Sequence, residues 1–277
     1  MLLPGVVDRH VHLGLVDRAQ LADSAVVQVL DLGWDPAEAV VWRATPPHGV
    51  QVRIAGPFHT AVGGYPSGRA WAPDAAVRQL SSPAAARAAI AELVAIDPVA
   101  VKVALNASMP LLDEEILRVL IDEAHDVGLP VWVHAEGAGQ AQRAIAAGAD
   151  ALVHVPWTEE FDADLVRAAA ERGMVWISTL AIHAGEDRAR AIRNAAAFVA
   201  AGGTLRYGTD MGNGPRPVGV DAEELRLLGE AGLRGPALLA AVLDGPAVLD
   251  GPDVEIDTAD DLIAWLAAAR RVELSSR

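Results

Sequence analysis

A (βα)8 TIM barrel is the fold this sequence predicts, and three observations carry the expectation. Short apolar, β-branched runs recur through the 277 residues, alanine-rich stretches of helical periodicity separate the later runs, and a glycine closes several of those stretches just before the next run.

Strands are expected at residues 5–12, 25–32, 50–57, 99–105, 130–134, 151–155, 174–179 and 204–209. Helices are expected at 113–127, 139–147, 162–172 and 187–201. Asp113 is placed to cap the first of these helices, with Glu114 and Glu115 at the positive end of its dipole. Gly128, Gly148, Gly173 and Gly202 are placed to end the four helices in a left-handed conformation. Eight strands joined by crossovers make a closed parallel sheet whose functional groups gather at the strands' C-terminal ends. A doubly wound open sheet is the alternative, but Gly63-Gly64-Tyr65 has neither the spacing nor the helix of a nucleotide fingerprint.

Composition narrows the function classes. With 52% hydrophobic and 21% charged residues the chain can bury a large core. A net charge of −15 argues against nucleic-acid and anionic-membrane partners, which require concentrated positive charge. No apolar run approaches the roughly 20 residues of a membrane span, and the first seven residues are too short for a signal peptide. There is no cysteine, which fits a reducing, cytoplasmic setting and leaves only nitrogen and oxygen ligands for any metal.

The polar residues fall at strand ends. His10 and His12 close the first strand two residues apart, so their rings share one side. His134 closes the fifth strand, His154 the sixth and Asp210 the eighth. On a barrel these positions share one rim and can meet at a metal. Lys102 lies inside the apolar run Val99-Ala100-Val101-Lys102-Val103-Ala104-Leu105, on the face of Ala100 and Ala104. Burial there favours its neutral, reactive amine.

His10-Val11-His12, Lys102, His134, His154 and Asp210, in this strand order, resemble the metal centre of the amidohydrolase superfamily, most of all its imidazolonepropionase and prolidase-like branch. Leu3-Pro4-Gly5-Val6-Val7-Asp8, His134-Ala135-Glu136-Gly137 and Gly208-Thr209-Asp210 support the likeness, which runs from Pro4 to about Leu228. The resemblance implies one or two divalent ions, with zinc expected and manganese or iron as options. It implies that His10 and His12 hold one metal, that His134 and His154 hold the other, and that Lys102, carboxylated by CO₂, bridges the two. Asp210 would ligate the first metal and carry the proton while a bridging hydroxide opens an amide or cyclic amide C–N bond of a small substrate. A lysine paired with Asp210 in a one-metal or metal-free site is the alternative for Lys102. Lactone, phosphotriester and deamination chemistry on the same centre, or a silent ligand-binding barrel, are the alternatives for the whole.

Substrate contacts are expected from the rim loops. His59 and His183 follow the third and seventh strands. The loop 58–71 carries Tyr65 and Arg69, suited to orienting a carboxylate or a cyclic amide, and Glu136 follows His134 by two residues.

One domain is expected, with the barrel at about 1–230 and a C-terminal helical extension at 231–277; helices are expected after Asp210 near 221–231 and 236–243. The β-sandwich that usually accompanies such barrels is absent or vestigial, because only nine residues precede His10. The apolar surface so exposed would be covered by the C-terminal helix or by a second copy of the chain.

Overall fold

Runs of valine, isoleucine and leucine with buried faces set the strands. The computed structural model, which describes residues 1–272, orders them in sequence as β1 (Leu2–Val11), β2 (Val26–Asp31), α1 (Pro36–Ala44), β3 (Gln51–Ile54), β4 (Phe58–Ala61), β5 (Val77–Leu80), α2 (Pro83–Val94), β6 (Val101–Asn106), α3 (Glu114–Asp126), β7 (Val131–Glu136) and α4 (Gln140–Ala147). There follow β8 (Ala151–Leu152), α5 (Ala163–Glu171), β9 (Val175–Ile177), α6 (Gly185–Ala200), β10 (Thr204–Arg206), α7 (Ala222–Glu230), α8 (Gly235–Val242), β11 (Leu243–Asp250), α9 (Ala259–Ala268) and β12 (Arg270–Arg271).

Eight parallel staves close a barrel: β1, β2, β3 with β4, β6, β7, β8, β9 and β10. The third stave is broken. β3 pairs with β2, and β4 pairs with β6 through His59 and Val103. Between them Gly56 takes φ +77° and Pro57 offers no N–H to a ladder, so the strand turns there. Closure is made beyond β10: Arg9 N–H donates to Tyr207 O at 3.2 Å, and His12 N–H to Met211 O at 2.8 Å. Gly208 permits this approach. A Cβ there would lie 2.3 Å from Ile177 Cγ2 and 3.2 Å from the backbone nitrogen of His10.

All eight expected strands are present, and each of the four expected inter-strand helices ends at its glycine, with φ between +71° and +100°. Asp113 stands at the cap position of α3, but its side chain makes no capping hydrogen bond. β4 falls in the stretch expected to be loop, and β5, α1 and α2 fall where no element is expected. α1 and α2 each open with a proline behind a capping Asp35 or Ser82, and β4, at the start of the loop 58–71, pairs with β5 beyond its end.

The helices expected in the C-terminal region are present as α7 and α8, α9 follows them, and two strands that were not expected are added. β11 runs antiparallel to the first residues of β1, with Leu3 opposite Leu249, and β12 adds at its edge, so a short ribbon extends the first stave. It pairs the edge of β1 opposite β2, over the first residues of the strand, which precede the contacts of Arg9 and His12 with the chain at and beyond β10. Arg9, almost wholly buried, bonds Ala241 O at 3.1 Å and pairs with Asp244, locking β1 to α8 and the start of β11. No helix among the described residues is long and apolar enough to cross a membrane.

Gly208→Ala is expected to lower unfolding stability by about 1–3 kcal/mol in urea titrations, because the barrel seam must open to admit a methyl group. An unchanged midpoint would show that the seam is not close-packed.

Candidate active site

The C-terminal ends of the staves line a cleft of about 420 Å³. His10, His12, Lys102, His134, His154 and Asp210 all face into it. Alternation on β1 turns His10 and His12 inward, and Asp210 sits where the chain beyond β10 takes φ +53°, a left-handed turn that Asp tolerates.

Hydrogen bonds at the far side of each ring fix which nitrogen faces the cleft. His10 Nδ1 lies 2.8 Å from Val153 O and His12 Nδ1 3.2 Å from Gly33 O. A carbonyl only accepts, so Nδ1 carries the proton and Nε2 of the neutral ring presents a lone pair. His154 Nδ1 is held by Thr179 Oγ1 at 2.8 Å. Asp210 Oδ1 lies 3.3 Å from the Nε2 of both His10 and His12. It is buried and has no hydrogen-bond partner, while Oδ2 accepts from Asn213 Nδ2 at 2.8 Å. Ligand atoms of His10, His154 and Asp210 all lie within 4.8 Å of one another.

Electrostatics agree with this geometry. Burial holds His10 and His154 well below the usual imidazole range, and the neighbouring Lys102 on His10 and His10 on His154 push the same way. Burial alone would raise Asp210, but the imidazoles of His10, His12 and His154 around it hold it well below the ordinary carboxylate range. Electron-rich atoms therefore converge with no proton between them, the arrangement a divalent cation fits.

Lys102 Nζ lies 3.2 Å from His10 Nε2, and burial pushes its amine down to about 7. His134 is turned differently. Its Nε2 meets Glu136 Oε2 at 3.1 Å, and that carboxylate is also held by Asn106 Nδ2 at 2.7 Å. The bond to His134 keeps Glu136 ionised below its usual range, although burial opposes it.

Aromatic side chains form the walls. Tyr65 stacks on His134 with centroids 5.2 Å apart, and Trp157 stacks on His183 at 4.6 Å. His183 lines the cleft with an unpaired Nε2, and burial lowers it to about 4. Two expected contacts are not brought here. His59 is buried on the outer face of β4, because the alternation that turns Phe58 into the cleft turns its neighbour out. Arg69 is exposed, its guanidinium 5.8 Å above the Tyr65 ring.

Sequence reasoning missed the supports. Asp8 accepts from the backbone N–H groups of His10 and Thr209, and Asp31 from that of Leu13 at 2.7 Å. An acid inside an apolar run was the available signal for both. Glu224 accepts from the N–H groups of Leu180 and Ala181 at 3.0 and 2.7 Å, and so holds the turn that delivers His183.

No protein-family model and no curated protein matches the chain. Solved structures do. A Xaa-Pro dipeptidase with methionine bound in its active site superposes with TM-score 0.75 at 16% identity, over 98% of this chain and 85% of that one. Phenylurea hydrolase B gives 0.75 at 15% identity over 99% and 84%, and A. niger ochratoxinase 0.70 at 18% over 91% and 77%. The chain has their barrel fold. On that fold the cleft described above occupies the rim where such barrels place their functional side chains.

Burial raises the Glu224 carboxyl to about 7, so the folded state favours its protonated form. The resulting stability is full below the unfolded pKa near 4.3 and is lost as pH rises through about 7. Glu224→Gln is expected to flatten the loss of stability between pH 5 and pH 8 in urea unfolding. Identical slopes for variant and parent would refute it.

Proposed function

We propose that this chain is a metal-dependent hydrolase of the amidohydrolase superfamily that opens an amide or cyclic amide C–N bond of a small, largely apolar substrate. The observation that carries this reading is the unpartnered Oδ1 of Asp210 set against the Nε2 lone pairs of His10 and His12. The neighbouring folds, by name a dipeptidase, a phenylurea hydrolase and an ochratoxinase, support it.

His10, His12, His154 and Asp210 would hold a first divalent ion, and Lys102, once carboxylated, would extend the site toward His134 and a second. Zinc suits this nitrogen and oxygen set, as do manganese and iron. When bound, such an ion supplies Lewis acidity, lowering the pKa of a water and polarising a carbonyl. The protein supplies the rest. Asp210 Oδ1 accepts the proton of the attacking water and returns it to the departing nitrogen, while Asn213 keeps Oδ2 occupied so that Oδ1 is the atom that exchanges. His183, neutral and with a free Nε2, hydrogen-bonds the substrate. Tyr65, Trp71 and Trp157 hold its planar or apolar part and exclude water. Carboxylation of Lys102 would need the uncharged amine, which burial favours.

Protein purified without chelators should carry at least one equivalent of zinc, manganese or iron by elemental analysis, and Asp210→Asn should lower kcat on an active amide by about 10²–10⁴-fold with metal retained. Metal well below one equivalent, or an unimpaired variant, would count against the reading. Trp157→Ala should raise KM for aryl amides by about tenfold, a loss near 1.4 kcal/mol, and leave small aliphatic amides little changed. Equal effects on both classes would deny the wall its stacking role.

A further inference from the structure

A second cavity lies behind the cleft, on the outer face of β4 and β5 under α2. It measures about 310 Å³ and is walled mainly by Pro36, Pro57, Val77, Ala89, Leu93 and Ile96. A water occupies roughly 30 Å³ of liquid volume, so this space accommodates a molecule of several heavy atoms.

Two polar groups line it without partners. His59 is completely buried, and its Nδ1 lies 3.1 Å from the carbonyl oxygen of Lys102. That carbonyl can only accept, so Nδ1 bears the proton and Nε2 is a bare acceptor. Nε2 has no partner. Arg78 stands directly beside His59 in the β4–β5 ladder, so both side chains project from one face of the sheet about 4.8 Å apart at the backbone. Its Nε–H, also buried, donates to nothing. Its charge is already matched, because Nη2 pairs with Glu92 Oε1 at 2.9 Å.

An acceptor and a donor thus sit side by side at the end of an apolar, charge-balanced hole. We infer that this cavity is a second small-molecule site, for an uncharged amide whose N–H donates to His59 Nε2 and whose C=O accepts from Arg78 Nε. A carboxylic acid is disfavoured twice: ionised it offers no donor to His59, and Glu92 already balances the guanidinium. The site is distinct from the catalytic cleft and does not depend on the hydrolase reading. It touches that cleft through one bond, since His59 holds the backbone of the residue whose side chain lies beside His10.

The test uses benzamide and the full-length protein with its metal as purified. Crystals soaked in benzamide should show planar density between His59 and Arg78. Titration by ligand-observed NMR should give a dissociation constant that weakens about tenfold in His59→Phe, because the buried amide N–H loses its acceptor. Arg78→Met, on the edge strand, should weaken it similarly and serves if the first variant folds poorly. Only ordered water in the cavity, benzamide density confined to the catalytic cleft, or equal affinity in both variants would overturn the inference.

Discussion

The rim of this barrel depends on one electrostatic constraint: three electron-rich atoms, Asp210 Oδ1 and the Nε2 atoms of His10 and His12, are held within 3.3 Å contacts with no proton shared among them. Left to relax, buried lone pairs would rotate apart or capture a proton. Rotation is blocked on the far side of each ring, where Val153 O and Gly33 O take up Nδ1. Proton capture is opposed by burial, which keeps His10 neutral. A cation resolves the conflict, and the chemistry of the cleft follows from that.

A layer of buried acids makes the constraint hold. Asp8 spans the barrel seam by bonding the backbone of both His10 and Thr209, so the first and last staves meet in a register that brings Asp210 against the histidine pair. Asp31 fixes the chain just past His12, and Glu224 fixes the turn before His183. These carboxylates do not face substrate. Each satisfies backbone donors that the close approach of loops would otherwise leave bare.

Much of this was legible in the amino acids because barrel strands announce themselves by β-branched runs, and a histidine or aspartate closing such a run has one rim to occupy. His10, His12, His134, His154 and Asp210 therefore emerged from position, whereas Lys102, inside its run, joined them through the family resemblance. Elements opening with proline were not legible: Asp35-Pro36 and Ser82-Pro83 carry no strong helical period after them, although a capping side chain before proline is how a helix begins. His59 was misplaced for a different reason. Residues 58–71 read as loop, and without a strand there is no alternation to say which face a side chain takes. Tyr65 was legible as a contact on a long rim loop, whereas Trp157 depended on how its loop folds over the rim, which no local pattern encodes. β11 escaped notice because its partner is the open edge of β1, some 240 residues away.

The broken third stave has an evolutionary corollary. β3 and β4 are anchored independently, one to β2 and the other to β6, and only residues 55–57 join them. Gain or loss of one residue in that link could slide β4 by one position while leaving the rest of the barrel paired, and a one-residue slide exchanges inward and outward faces. Phe58 and its histidine neighbour would then trade places, adding an imidazole to the cleft and a phenyl ring to the outer cavity. Length variation at a single glycine-proline junction is thus a short mutational route by which a barrel of this design can acquire a new polar group at its catalytic rim without assembling a new loop.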